Sequence, residues 1–206
     1  EQEVINCNFQ ASVAIGHTRW ATHGAANQIN AHPHQTEQVS VVHNGIIENF
    51  LEIKKELLGL GHKFASQTDS EVIPHLITHY LNQNKTPLEA VNNAISRLEG
   101  AFSIATVFTK YPDIIIAARK GSPLVLGYAE DKIAIASDAY ALAFLTNKIS
   151  YLEEGDVALL KNDKVEVYDA NKNWLCVKYL SLIIVQQILV KEISVIICLR
   201  KFLSSH

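Results

Sequence analysis

An arginine next to a tryptophan is the first group in the chain whose chemistry suggests a binding site. Arg19 follows a short apolar run at residues 12–16 and precedes Trp20. At the end of a strand, its guanidinium would enter a cleft beside a flat apolar wall. A guanidinium holds a carboxylate through two parallel hydrogen bonds and keeps its charge. The pair therefore predicts a carboxylate site, with an ordinary exposed arginine as the alternative.

An Asn-Gly pair is the second candidate. Asn44 and Gly45 follow the apolar run at residues 39–42 and precede a segment with helical periodicity. A tight turn at this point would aim backbone N–H groups and an amide side chain at one place, which is the arrangement of an oxyanion hole. Asn-Gly is also a favoured turn dipeptide. A purely structural turn is therefore the alternative.

The carboxylate of Asp69 has two interpretations. It would hold a substrate ammonium group, or it would cap the helix that the apolar positions after it predict. The surrounding sequence, Thr68 to Glu71, has the pattern of a capping box. Both interpretations remain open at the level of the residues.

Histidines are concentrated near the first two candidates and raise a metal-binding hypothesis. Five of the nine lie in one stretch: His17, His23, His32, His34 and His43. No His-Glu-x-x-His motif is present, and no cysteine lies close to a histidine pair. The spacing favours hydrogen-bonding histidines. A histidine-rich metal-binding module remains an alternative.

The elements that must position these groups are strands, then helices, then more strands. Apolar runs of strand length occupy residues 12–16, 39–42, 102–108, 114–117, 124–127 and 133–136, and a hairpin is predicted at 161–164. Helices are predicted after Ile47, after the pattern at 68–71 and after the capping signal at 86–89. The first of them has Phe50, Leu51, Leu57 and Leu58 on its apolar side. This order predicts a layered α+β domain.

Composition narrows the class of partner. The 206 residues are 48% hydrophobic and 19% charged with a net charge of −3, which is typical of a globular domain and argues against nucleic acid. No apolar run is long enough for a membrane span. Three scattered cysteines predict neither a disulfide framework nor a zinc site, so we expect a cytoplasmic protein without a cofactor. Because methionine is absent, we expect Glu1 to be an internal position of a longer protein.

Several short motifs, taken in order, resemble the glutaminase domain of the glucosamine-6-phosphate synthases. The resemblance covers roughly residues 12–170 and is specific in its spacing. The motifs are GHTRWATHG at residues 16–24, NAHPH at 30–34, HNGIIEN at 43–49, TDSE at 68–71, GSPL at 121–124 and LEEGD at 152–156.

The resemblance implies a fold and a set of roles. The fold would be that of N-terminal nucleophile hydrolases, a four-layer αββα sandwich, here truncated at its N-terminus. Arg19 would bind the α-carboxylate of glutamine and Asp69 its α-ammonium group. Asn44 and the N–H of Gly45 would stabilise the oxyanion. Thr22 and His23 would line the pocket, and Trp20 would lie where ammonia leaves.

The resemblance also implies a nucleophile that the sequence lacks. In this family an N-terminal cysteine attacks glutamine with its own α-amine as the base. Cys7 is not terminal, and its nitrogen lies inside a peptide bond. We therefore expect this chain not to hydrolyse glutamine.

The C-terminal end departs from the family as well. Alternative codons for residues 192–206 can be read in another frame as the hinge into the sugar-phosphate isomerase domain, so we expect an out-of-frame tail. Residues 1–174 are accordingly predicted to be a partial class II glutamine amidotransferase domain, and residues 175–206 an aberrant tail.

These expectations leave three functional hypotheses. The first is an inactive fragment of a glutamine:fructose-6-phosphate aminotransferase, an enzyme that makes glucosamine 6-phosphate and glutamate and is a homodimer. The second is an active amidotransferase whose sequence is incomplete here. The third is the metal-binding module.

Overall fold

Two antiparallel β-sheets face each other in the computed structural model, which describes residues 12–18, 27–161, 164–175, 180–181 and 196–201. Sheet A has the strand order β1-β13-β7-β6-β8-β12, and sheet B has the order β11-β10-β9-β5-β4-β3-β2. The strands of sheet A are β1 (Val13–His17), β6 (Val125–Tyr128), β7 (Lys132–Ala136), β8 (Lys148–Tyr151), β12 (Leu180–Ser181) and β13 (Ile196–Lys201). Those of sheet B are β2 (His34–Gln35), β3 (Val39–Gly45), β4 (Phe102–Phe108), β5 (Tyr111–Lys120), β9 (Val157–Lys161), β10 (Lys164–Tyr168) and β11 (Trp174–Leu175). The predicted strands are confirmed, although most of them begin or end a few residues from the predicted limits.

Three α-helices cover the outer face of sheet B. They are α1 (Phe50–Gly59), α2 (Val72–Leu81) and α3 (Pro87–Ile95). Their buried side chains, among them Leu57, Ile73 and Val91, pack on Val41 and Ile104 of the sheet. No helix in the described part of the chain is long and apolar enough to cross a membrane.

The second capping signal is confirmed. Thr86 is the N-cap of α3, and its hydroxyl accepts from the Glu89 N–H at 3.3 Å while the Glu89 carboxylate accepts from the Thr86 N–H at 2.9 Å.

The first capping signal is wrong. The N-cap of α2 is Glu71, and it makes no side-chain cap. The Asp69 carboxylate instead accepts from the Ile47 N–H at 2.8 Å. A long-range partner therefore takes the carboxylate that local sequence assigned to the helix.

The predicted apolar side of α1 is wrong at two of its four positions. Leu51 and Leu58 are 69% and 52% exposed, whereas Ile53 and Leu57 are buried. Positions four apart lie on one face of a helix, and Ile53 with Leu57 forms the face that meets sheet B. The prediction placed Leu51 and Leu58 on the buried face because they are apolar neighbours of Phe50 and Leu57 in the sequence.

The space between the sheets is filled by apolar side chains from both. Val42, Ile115 and Leu160 of sheet B meet Leu126 and Ile135 of sheet A. The outer face of sheet A carries a 3₁₀ helix at Ala139–Leu142, which packs on Val125 and Ile149. The described layers are therefore helices, sheet B, sheet A and this short helix.

Two strands come from the segment predicted to be an aberrant tail. β13 pairs antiparallel with β1, where Val13 lies opposite Arg200, and with β7, where Ala136 lies opposite Ile197. β12 pairs with β8 at the edge of the sheet. The division of the chain at residue 175 stays a prediction.

The chain leaves β3 through a close approach of two backbone segments. Gly45 has a φ of 118°, and a Cβ at this position would lie 2.1 Å from the carbonyl oxygen of Ala101. The Ile46 N–H donates to that oxygen at 2.9 Å, and the Glu48 N–H donates to the carbonyl of Glu99 at 2.9 Å. Only glycine tolerates this combination of φ and distance. The approach fixes the backbone immediately after Asn44.

A buried histidine joins β3 to the start of α2. His43 is 3% exposed, and its Nδ1 lies 2.8 Å from the Ser70 hydroxyl oxygen. The pKa of His43 is lowered to about 4, mainly by burial; the charge of Asp69 opposes this shift, and His17 and His34 add to it. The ring of His32, 6.3 Å away between centroids, also faces it. His43 is therefore neutral at neutral pH.

Replacing Gly45 by alanine tests the close approach. The Gly45→Ala methyl group would meet the Ala101 carbonyl at a positive φ, so we expect the free energy of unfolding to fall by roughly 2–4 kcal/mol. The matched control is Gly59→Ala, at a helical glycine with open space around its Cβ. This control should leave the free energy unchanged or raise it by about 0.5–1 kcal/mol. Urea denaturation measures both, and an unchanged Gly45→Ala chain would contradict the structure.

The neutral state of His43 predicts a pH dependence of stability. Because its pKa is lower in the folded chain than in the unfolded chain, the unfolded chain takes up a proton first as the pH falls. The free energy of unfolding should therefore decrease from about pH 6.5 towards pH 4, by an amount on the order of 3 kcal/mol. Urea denaturation between pH 7 and pH 5 measures this slope.

The control for this slope is a variant without the imidazole. His43→Gln keeps a group that can bond to Ser70 and removes the titration, so its slope over the same range should be shallower. His79→Gln, outside the His43 environment, should keep the wild-type slope. Equal slopes in His43→Gln and the wild type would show that His43 does not cause the dependence.

Candidate functional site

The candidate site lies where β3 ends and its backbone turns towards α1. Asn44 is half-buried and Gly45 is exposed, so the end of the strand opens to solvent. Side chains alternate along a strand, and since Val42 faces sheet A, Asn44 faces sheet A as well. There its Oδ1 lies 2.5 Å from the Nε2 of His17, at the end of β1. The two sheets thus meet at this point through a polar contact.

A polar row continues from Asn44 across sheet B. Asn44 lies opposite Ser103 on β4, and Ser103 lies opposite Arg119 on β5. Paired residues present their side chains on one face about 5 Å apart. The Ser103 hydroxyl and the Arg119 Nε are buried and have no hydrogen-bond partner in the described ranges. Another nitrogen of Arg119, Nη1, donates to the carbonyl of Leu152.

Asp69 meets the end of β3 from the helix layer. It is 2% exposed, and its Oδ2 accepts from the Ile47 N–H at 2.8 Å. Among the described residues, its Oδ1 receives only a contact of 3.5 Å from the Ser70 hydroxyl. No ion pair to Asp69 is formed within the part of the chain that the structure describes. One oxygen of a buried carboxylate therefore keeps capacity for a donor.

The loop before Asp69 is held by the carboxylate of Glu71. This carboxylate accepts from the Ala65 N–H at 2.8 Å, the Ser66 N–H at 2.7 Å and the Ser66 hydroxyl at 2.7 Å. Burial alone would raise the pKa of Glu71, but His75 and these donors lower it to about 2. Glu71 is therefore charged at every ordinary pH, and it fixes the approach of the chain to Asp69.

Four of the histidines noted in the sequence form a continuous array beside the site. The ring centroid of His32 lies 4.3 Å from that of His17, 4.9 Å from that of His34 and 6.3 Å from that of His43. His34 Nε2 lies 2.9 Å from the Thr68 hydroxyl oxygen. Across the ranges that the structure describes, no group of three or more His, Cys, Asp or Glu side chains is arranged to hold a metal ion. The array acts through hydrogen bonds and ring packing.

The structure describes some of the predicted site residues and not others. Asn44, Gly45 and Asp69 are described, and the Asp69 bond to Ile47 brings them to one end of β3. The other predicted substrate-binding residues lie outside the described residues; they are Arg19, Trp20, Thr22 and His23.

Several residues that the structure places here were not predicted to belong to this site. In the sequence, His17 is a candidate metal ligand only, and its contact with Asn44 depends on a strand of the other sheet. Ser103 and Arg119 carry no local signal, since only strand pairing places them in line with Asn44. The local pattern predicts that Glu71 belongs to a helix cap. Its carboxylate instead accepts from Ala65 and Ser66, which lie earlier in the chain.

The arrangement is suited to binding a polar molecule with separated charges. An amide side chain and an exposed glycine backbone can donate to a carbonyl or oxyanion, and the buried carboxylate can accept from a cation. Together these groups fit a substrate that carries an amide and an ammonium group.

Comparison of the sequence with known proteins identifies the family of this chain. The sequence profile of the glutamine amidotransferase domain matches residues 17–144. Similar proteins include glutamine–fructose-6-phosphate aminotransferases (isomerizing) from three bacteria. The Zymomonas mobilis protein is 53% identical over 166 residues, which are 81% of this chain and 27% of the relative. The Bartonella henselae protein is 47% identical over 171 residues, 83% of this chain and 28% of the relative. The Mesorhizobium japonicum protein is 49% identical over 161 residues, 78% and 26%.

A solved structure has the same fold at low identity. Glutamine phosphoribosylpyrophosphate amidotransferase from B. subtilis, complexed with ADP and GMP, superimposes with a TM-score of 0.61. The identity is 23%, and the match covers 73% of this chain and 34% of that one. This likeness confirms the predicted N-terminal nucleophile hydrolase fold, and the relatives confirm the resemblance to the glutaminase domain. The chain spans little more than a quarter of the length of these relatives. It belongs to the glutamine amidotransferase domain family.

Proposed function

We propose that this domain recognises glutamine at the end of β3. Asn44 and the N–H of Gly45 donate to the oxygen of the side-chain amide as it becomes an oxyanion. Asp69 accepts from the α-ammonium group, and Arg19 binds the α-carboxylate. Thr22 and His23 line the pocket, and Trp20 lies at the exit for ammonia. The printed name of the relatives, glutamine–fructose-6-phosphate aminotransferase, supports glutamine as the ligand.

The observation that carries this proposal is the state of Asp69. A buried carboxylate is costly unless it is paired or fully hydrogen-bonded. Asp69 has one backbone donor at 2.8 Å, a long hydroxyl contact, and no ion pair in the described part of the chain. An ammonium group would supply the missing charge and donor. The bond from the Ile47 N–H supports this role, since Ile47 follows Gly45 by two residues.

Hydrolysis of glutamine requires a nucleophile in addition to recognition. A thiolate beside its base performs this step in amidotransferases of the predicted type. Binding of glutamine is therefore the property that tests the described residues directly.

The reaction of the longer protein is part of the same proposal. In it, the amide nitrogen of glutamine passes to fructose 6-phosphate, and glucosamine 6-phosphate and glutamate are the products. The sugar phosphate would bind in the part of the relatives that this chain does not span. A homodimer and a cytoplasmic location belong to this proposal as well; the three scattered cysteines support the location.

The proposal predicts how Asp69→Asn changes ligand binding. The substitution keeps the shape of the side chain and removes its charge, so the dissociation constant for L-glutamine should rise about 10- to 100-fold. Glutaramate, which has the amide and carboxylate but no α-amino group, should bind both chains equally. Isothermal titration calorimetry measures the two ligands. The control is Asp138→Asn, at the half-buried N-cap of the 3₁₀ helix on the outer face of sheet A.

Two results would contradict the assignment. An equal loss of affinity for glutamine and glutaramate in Asp69→Asn would show that Asp69 supports the fold and does not contact the ammonium group. An Arg19→Ala chain that binds glutamine as well as the wild type would refute the carboxylate role of Arg19.

A further inference from the structure

The contact between His17 and Asn44 has a defined polarity. Nε2 of His17 lies 2.5 Å from Oδ1 of Asn44. A carboxamide oxygen can only accept a hydrogen bond. With the carboxamide in this orientation, the imidazole carries a proton on Nε2 and donates a hydrogen bond to Asn44 Oδ1.

This contact orients the carboxamide. Once its oxygen is held by His17, the Nδ2 amide group lies at the opposite end of the planar side chain and points away from the imidazole. A rotated carboxamide would place Nδ2 against the Nε2 proton, donor against donor. The contact thus selects one of two orientations that differ by a half-turn of the terminal amide.

We propose that His17 is the positioning residue that turns the Asn44 amide donor towards the substrate. The inference rests on the proposed function in one respect, the role of Asn44 as an oxyanion donor. His17 itself does not touch the substrate. Preorganised donors are effective in catalysis because they need no reorientation as charge develops, and His17 supplies that preorganisation from the other sheet.

The position of the His17 ring is itself fixed. Its backbone belongs to β1, which packs on sheet B through Val13 and Ile15. Its ring packs against His32 at 4.3 Å between centroids, tilted by 47°. His32 in turn contacts His34 and His43, and His43 bonds to Ser70 next to Asp69. The packed histidine rings therefore connect Asn44 to Ser70, the neighbour of Asp69, which is the residue proposed to bind the ammonium group.

The first test reads the tautomer of His17 in the wild-type chain. Long-range ¹H–¹⁵N NMR correlation distinguishes a protonated ring nitrogen from an unprotonated one. We expect Nε2 to be protonated at neutral pH, with no ligand added. An unprotonated Nε2 would overturn the proposal, because it could only accept from the Asn44 amide and would hold the carboxamide the other way round.

The second test removes the donor and keeps the ring. His17→Phe should preserve the packing against His32 and release the carboxamide, so the ¹⁵N relaxation of the Asn44 Nδ2H₂ group should report faster motion. The dissociation constant for L-glutamine should rise about tenfold. His17→Gln places an amide N–H at similar reach and should restore both values to within about twofold of the wild type. His79→Phe, where the imidazole contacts Gln83 near the end of α2, is the matched control and should change neither.

The outcomes separate this proposal from the proposed function. If the wild type does not bind glutamine, the proposed function fails, while the tautomer and the relaxation of Asn44 still decide the positioning role. If His17→Phe does not fold, the wild-type tautomer and His17→Gln decide it. An Asn44 side chain equally rigid in folded His17→Phe and the wild type would overturn it.

Discussion

The hydrogen bond from the Ile47 N–H to the buried carboxylate of Asp69 connects the helix layer to the end of sheet B that carries the candidate site. It brings a charge from the start of α2 to the residues that follow β3. Burial of a carboxylate with so few donors is unfavourable, and the surrounding structure must hold it in place. Glu71 does so by fixing residues 65 and 66, and Ser70 does so through its contact with His43. The cost is consistent with a group kept for binding.

One neutral histidine, His43, lies close to this carboxylate, because burial lowers its pKa more than the charge of Asp69 raises it. Protonation of the array would place several positive charges within a few ångströms of each other, and His17 and His34 already lower the pKa of His43. A neutral imidazole offers one donor and one acceptor, so each ring can orient a neighbour. Ring nitrogens of His17, His34 and His43 lie within hydrogen-bond distance of Asn44, Thr68 and Ser70, respectively. The same residue type that suggested metal binding in the sequence serves here to orient hydroxyl and amide groups.

The site depends on both sheets, although most of its proposed ligands come from one side. Asn44, Gly45 and Asp69 belong to sheet B and its helices, whereas His17 belongs to sheet A. Strand β1 has an interior neighbour in β13, which also pairs with β7. The C-terminal segment therefore contributes to the sheet that presents His17. The orientation of the Asn44 carboxamide therefore depends on the pairing of β1 with β13.

The tight turn predicted at Asn44 and Gly45 is wrong, because both residues end β3 and pair with Ser103 and Phe102 of β4. The sequence by itself determined most of the periodic elements and the capping box of Thr86 and Glu89. These features depend on alternation and helix-start chemistry, which act between residues close in the chain. It also identified the family through ordered motifs, and with the family the candidate roles. Tertiary structure alone decided that Asp69 bonds to Ile47 and not to its own helix, that Leu51 and Leu58 face solvent, and that Ser103 and Arg119 align with Asn44. Each of these outcomes depends on which partners the fold brings together across dozens of residues. A buried polar group takes the partner that best compensates its lost hydration, and no local pattern specifies that partner.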